Sequence, residues 1–145
     1  MKNQHAVILF ADIVGYSAMM QSNQEKAVEQ VRALRDIHLE PVVLAHGGRV
    51  LKRLGDGWIF SFPAIADCVD CAMQVQTGML ALKGVQLRIG CHFGDIVEEE
   101  EEIYGSGVNI AARIQAEAPP GGVMISEDMM RQLSGTRADA IKEAG

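Results

Sequence analysis

No apolar run in the 145-residue chain approaches the roughly 20 residues that a membrane-spanning helix needs. The N-terminus also lacks the layout of a secretory signal peptide. These two absences point to a cytoplasmic protein with no membrane contact. Positive charge is short as well, with 13 Lys and Arg against 19 Asp and Glu and a net charge of -6. A general nucleic-acid binder grips phosphate with a basic surface, so nucleic acid is not the expected partner. A small anion stays open as a substrate if metal ions and a few local cations neutralise it. Cysteine is scarce and odd in number, three in all, which fits a reducing compartment better than a disulfide framework. Cys68, Cys71 and Cys91 read as small buried hydrophobes, because no further ligands stand at zinc spacing. There are no internal repeats and no low-complexity linker, and the length is that of one domain, residues 1–145.

Within that frame, residues 6–10 form a short, wholly apolar run, the signature of a central strand buried on both faces. Ser22 or Asn23 can cap a helix whose apolar face recurs through Val28, Val31, Leu34 and Ile37, with Pro41 inside the pattern as a kink or restart. Residues 49–54 and 58–62 are strand-like and joined by Gly55-Asp56-Gly57, a tight-turn signal that makes them a β-hairpin. Asp67 can cap a second helix, and residues 86–93 read as another strand. The order strand, helix, strand, strand, helix, strand is the βαββαβ of an α+β, ferredoxin-like domain, an antiparallel sheet with helices on one face. A C-terminal extension follows. It comprises a further strand over residues 94–99, an acidic loop over 98–102, a helix from Val108 to about Glu117, a short strand at 123–125 and a helix capped by Ser126.

Two aspartates stand where apolar strands end. Asp12 closes the first run, and the Gly15 that follows allows a tight turn whose backbone N–H groups can face an anion. Asp56 sits in the hairpin turn. Carboxylates on adjacent strand ends can share hard divalent cations, and Mg²⁺ usually takes one or two carboxylates plus substrate phosphates. For Asp56 alone, a D-G turn is the plainer reading.

Four blocks then occur in order: Phe10-Ala11-Asp12-Ile13-Val14-Gly15-Tyr16-Ser17, residues 51–57, Leu87-Arg88-Ile89-Gly90-Cys91-His92-Phe93-Gly94, and Tyr104-Gly105-Ser106-Gly107-Val108-Asn109-Ile110-Ala111-Ala112-Arg113. With them the chain resembles the catalytic domain of the class III nucleotidyl cyclases, the adenylyl and guanylyl cyclases. The resemblance implies the nucleotide cyclase fold and a phosphoryl transfer in which the ribose 3′-hydroxyl attacks the α-phosphorus and pyrophosphate leaves. It places two Mg²⁺ or Mn²⁺ ions per site on Asp12, Asp56 and the backbone carbonyl of Ile13. It puts Asn109 on the ribose and Arg113 on the charged phosphorus, and sets Arg88, Gly15 and Tyr16 on the substrate side. Lys52 and Glu102 fall on the two purine-reading positions. A Lys there donates to adenine N1 and an acceptor takes the exocyclic amine, whereas guanine presents the inverse edge, so the pair points to ATP. Glu102 is one methylene or more longer than the commoner residue, and Ser106 stands where many relatives have Asp.

The same resemblance implies a head-to-tail homodimer with two shared sites, the aspartates coming from one chain and the Asn109/Arg113 helix from the other. It also implies a further strand bearing a phosphate-binding Lys beyond the polar tail 135–145, so the domain is expected to be cut at its C-terminus, and Lys142 is not assigned that role. The expected activity is adenylate cyclase, with a catalytically silent nucleotide-binding or dimerisation module and a guanylate cyclase as alternatives. A receiver-type phospho-acceptor also clusters aspartates but needs a parallel sheet, which the hairpin at Asp56 argues against.

Overall fold

In a computed structural model of the chain, which describes residues 2–100 and 102–133, the organising element is the first strand, β1 (Lys2–Ile13). One edge of β1 pairs antiparallel with β3 (Gly57–Phe62). The other pairs antiparallel with β4 (Leu87–Glu99) along its whole length, from Lys2 opposite Glu98 to Ile13 opposite Leu87. The short strand β2 (Arg49–Arg53) completes the order β2-β3-β1-β4, that of the expected βαββαβ core. Beyond β4, its C-terminal part pairs antiparallel with β5 (Glu102–Tyr104) and its N-terminal part pairs parallel with β6 (Val123–Ile125).

The sequence reading placed the first strand at residues 6–10 and split the fourth into 86–93 and 94–99. Both are longer in the structure, and for one reason. A strand flanked by two others carries a full ladder of backbone hydrogen bonds on each side, which recruits polar residues such as Gln4 and His5 that local pattern would leave out. Gly94 pairs with Ala6 inside that ladder, so it interrupts nothing. Asp12 accordingly lies within β1 and not in a loop after it.

The helices divide between two faces. Alternation puts Leu9, Ala11 and Ile13 on one face of β1, where they join Trp58, Phe60 and Phe62 of β3 and Leu87, Ile89 and Cys91 of β4 in the main core. That core is covered by α1 (Tyr16–Ser22), α2 (Gln24–Ala33), the segment Leu34–Leu39, α3 (Glu40–Ala45) and α4 (Ile65–Met79). The other face carries Ile8, Ile59 and Ile96, and α5 (Ser106–Glu117) packs on it through Ala111. The helices of the βαββαβ core therefore share one face, as expected, and only a helix of the C-terminal extension departs from it. α5 lies on the opposite face, and a helix that follows the βαββαβ core is free to cross to whichever face is still uncovered. Glycines make room for it, since a Cβ on Gly90 would stand 2.3 Å from the Gln115 backbone nitrogen.

Asn23 caps α2, accepting from the Lys26 amide, and Ser126 caps α6 (Glu127–Gln132), accepting from Met129. Asp67 is not a cap. α4 begins earlier, after an extended Ala64, and Asp67 lies in its first turn, where its charge suits the helix dipole. The disturbance expected at Pro41 takes the form of a π-helical turn over Leu34–Leu39, after which Pro41 opens α3 in the first turn, where its missing N–H costs nothing. Within the stretch expected to be a loop, Glu102–Tyr104 forms β5 and pairs antiparallel with the end of β4, and Glu100 takes a left-handed conformation. α1 was not foreseen, and α5 starts at Ser106 instead of Val108. All three cysteines are free and buried, as expected. The anticipated incomplete C-terminus lies outside the described residues.

Two outcomes follow from this packing. Gly90→Ala should lower stability by about 1–3 kcal/mol, the usual penalty of overpacking, because the atoms it meets belong to the α5 backbone and cannot rotate away; urea unfolding measures it. Burial pushes the Cys71 thiol up to about 12 and Cys68 well above the ordinary range, so neither carries thiolate at neutral pH. Ellman's reagent should accordingly leave these two unmodified in the native protein and titrate them only once it unfolds.

Candidate active site

The turn of the β2–β3 hairpin is hung from the end of β1. The Ile13 amide donates to the Asp56 carbonyl at 2.9 Å, and the Leu54 amide closes the turn on the Gly57 carbonyl at 2.8 Å. Asp12 stands opposite Gly57 on one side and Arg88 on the other. A Cβ at position 57 would meet the Ala11 carbonyl at 2.9 Å and the Asp12 carboxylate at 3.3 Å, so glycine is required for Asp12 to hold its place. The Gly-Asp-Gly turn signal in the sequence is the local trace of this packing.

Asp12 and Asp56 are both half-buried. Burial, and next the negative charge of Asp56, hold the Asp12 carboxyl above its ordinary range; Arg88 and the Ile13 backbone act in the opposite sense without cancelling the effect. Two carboxylates thus lie close together with too little positive charge between them. Their oxygens, with backbone carbonyls nearby, form a hard donor set that fits Mg²⁺ or Mn²⁺. Among the described residues no group of three or more His, Cys, Asp or Glu could hold a metal, so two protein carboxylates would leave remaining positions to substrate oxygens and water.

Arg88 is half-buried, and its Nε donates at 3.0 Å to the Ala118 carbonyl, at the C-terminal cap of α5. That bond ties the end of α5 to the strand facing Asp12. Gly15, in the left-handed region at φ 69°, starts α1, and the Tyr16 ring packs against the main core, so what Tyr16 offers outward is backbone. First-turn amides of a helix have no acceptor within it.

Lys52 and Glu102, 50 residues apart in sequence, form an ion pair with Nζ 2.9 Å from Oε2. The reach of Glu102 therefore suffices for Lys52. On α5, Gly107, Ala111 and Gln115 face the sheet, which turns Asn109 and Arg113 outward; both are exposed. Among the described residues neither is hydrogen-bonded or ion-paired to Asp12 or Asp56, and among those residues Arg113 has no ion-pair partner. The single chain brings Asp12, Asp56 and Arg88 together at one end of the sheet and joins Lys52 to Glu102, but leaves the α5 pair apart. Sequence reasoning missed Arg49 and Glu98, which form a second ion pair between the same hairpins.

Comparison with known families matches residues 1–144 to the adenylate and guanylate cyclase catalytic domain. The chain belongs to that family. Among curated relatives, this cyclase domain is 40% identical over 137 residues to putative adenylate cyclase 3 of Rhizobium meliloti, covering 90% of this chain and 23% of that protein. It is 25% identical over 145 residues to an adenylate cyclase of Streptomyces coelicolor, covering 99% of this chain and 38% of that protein. It thus spans well under half the length of either. Among solved structures, an adenylate/guanylate cyclase/hydrolase from Silicibacter pomeroyi superposes with a TM-score of 0.82 at 30% identity, covering 90% of this chain and 80% of that one. The adenylyl cyclase CyaB from P. aeruginosa shares the fold, with a TM-score of 0.77 at 18% identity over 90% of this chain and 82% of that one. No helix among the described residues of the cyclase domain is long and apolar enough to cross a membrane.

The raised Asp12 carboxyl yields a signed prediction. An acid whose folded-state pKa lies above its unfolded value costs stability once ionised, and that cost is relieved as pH falls through the folded value. Asp12→Asn should therefore raise the melting temperature at pH 7 without divalent cation. It should also abolish any further rise on adding Mg²⁺, which stabilises only a protein that binds it. Differential scanning fluorimetry with and without Mg²⁺ reads both effects.

Proposed function

We propose that this domain is an adenylate cyclase, converting ATP to 3′,5′-cyclic AMP and pyrophosphate at sites shared between two head-to-tail copies of the chain. The observation that carries the reading is the Lys52–Glu102 pair. An ammonium has three donors and a carboxylate several acceptor sites, so each partner can keep the other and still turn one group to a base. Lys52 donates to adenine N1 and Glu102 accepts from the exocyclic amine. Guanine offers O6 and N1–H in the reverse sense, and would set its N1–H against the ammonium.

In the reaction the 3′-oxygen forms a bond to the α-phosphorus, the bond to the bridging oxygen of pyrophosphate breaks, and the 3′-hydroxyl proton is lost. Asp12, Asp56 and the Ile13 carbonyl would hold two divalent cations, which when bound supply positive charge at the triphosphate and favour ionisation of the hydroxyl. Asn109 orients the ribose. Arg113, exposed and without an ion-pair partner among the described residues, is available to a partner copy's site, where its planar fork can grip two oxygens of the five-coordinate phosphorus. Arg88 offers its remaining N–H groups to the polyphosphate while α5 fixes its Nε. The backbone amides at Gly15 and Tyr16 face the same charge. Protein positioning and fixed charge carry most of the rate in such transfers.

The deciding assay is cyclic nucleotide formation by the purified protein from ATP or GTP, with Mg²⁺ or Mn²⁺, over a range of protein concentrations. Cyclic AMP should form selectively, at a rate rising more than linearly with protein; equal use of GTP, or no product from either nucleotide, overturns the reading. Asp12→Ala should abolish turnover. Lys52→Glu, which leaves two carboxylates facing the base, should lower ATP turnover about 10- to 100-fold, as loss of a charged hydrogen bond does.

A further inference from the structure

The two ends of the acidic run, Glu98 and Glu102, are tied down in a specific way. β2 lies at one edge of the sheet and the β4–β5 hairpin at the other, yet the two approach each other across the face that carries α5. In a regular strand, residues three apart point to opposite faces. Here a β-bulge between Val50 and Lys52 sets Arg49 opposite Ser61 and Lys52 opposite Ile59, two positions apart on β3, so both cations project to one face. Lys52 takes Glu102, at the start of β5. Arg49 takes Glu98, on β4, and Glu98 also accepts from the Gln4 side chain of β1 at 3.0 Å. Glu98 is 27% exposed against 54% for Glu102, so the Arg49 bond is the more enclosed on its acidic side. The far end of the hairpin is fixed too, because Gly105 lies so close to the Asp95 carbonyl that a Cβ would stand 2.6 Å away.

We propose that Arg49 and Glu98 form a latch holding the β4–β5 hairpin on β2, so that Glu102 stays on Lys52; they are positioning residues for purine selection. The proposal rests on the adenylate cyclase reading for its consequence and on the bulge for its geometry. Without Arg49, adjacent carboxylates repel and the hairpin swings away, taking Glu102 from the base while Asp12, Asp56 and Arg113 are untouched.

The test compares Arg49→Met, Glu98→Gln, the conservative Arg49→Lys and the charge swap Arg49→Glu/Glu98→Arg with the parent protein. Amide hydrogen exchange over residues 97–104, without nucleotide, should speed up in the Met and Gln variants and return towards the parent rate in Arg49→Lys and the swap. KM for ATP should rise about two- to fivefold with kcat unchanged, the range an exposed ion pair supports, and the preference for ATP over GTP should shrink by the same factor. High salt should weaken the parent's preference and leave that of Arg49→Met unmoved. Unchanged hairpin exchange in Arg49→Met overturns the latch, and so does an unchanged ATP preference in a protein that is otherwise an ATP-selective cyclase. A parent protein that makes no cyclic AMP removes the adenylate cyclase reading instead, and the exchange measurement then judges the latch by itself.

Discussion

Everything in this domain hangs on the double pairing of β1. Its backbone is engaged along both edges, with β4 over its full length and with β3 over its C-terminal half. Its side chains alternate between a core beneath the helical layer and a second cluster beneath α5. A strand held on two edges and two faces has almost no freedom left. A charged group at its end is therefore placed by the most rigid part of the molecule. Asp12 is that group.

That rigidity explains why an unfavourable arrangement persists. Asp12 is partly desolvated and is repelled by Asp56, and both effects raise its carboxyl. Left to itself, a flexible turn would swing Asp56 away. The Ile13–Asp56 backbone bond and the glycine at 57 prevent this, so the strain stays at one spot. Such stored charge is what a cation-binding site requires before the cation arrives. The α5 face follows a different logic. Gly90, Gly94 and Gly107 bring helix and sheet into close backbone contact, and the inward stripe of Gly107, Ala111 and Gln115 turns Asn109 and Arg113 outward. A single copy therefore holds the Asp12–Asp56 pair and the outward Asn109 and Arg113 apart, and the proposed pairing of two copies would unite them.

Much of this was legible in the sequence because its signals are local. The apolar run before Asp12, the Gly-Asp-Gly turn and the caps at Asn23 and Ser126 each depend on a few adjacent residues, and each appears in the structure. Misread features depended on distant partners. The polar start of β1 and the passage of β4 through Gly94 are products of the ladder between them. β5 exists because β4 offers it an edge. Asp67 had the chemistry of a cap, but the helix gained another turn on its N-terminal side and began at Ile65.

The sequence by itself determined the βαββαβ order of the core, the antiparallel hairpin of β2 and β3, the two aspartates at strand ends and the family whose motifs they belong to. These follow from periodicity, turn chemistry and short motifs, all encoded within a few residues. Only the tertiary structure decided that α5 lies on the face opposite the other helices, that Lys52 meets Glu102, and that a bulge in β2 turns Arg49 and Lys52 to the same acidic hairpin. Those contacts join residues about 50 positions apart through the curvature and register of the sheet. Register is a cooperative property of several strands at once, and no local stretch of chain contains it.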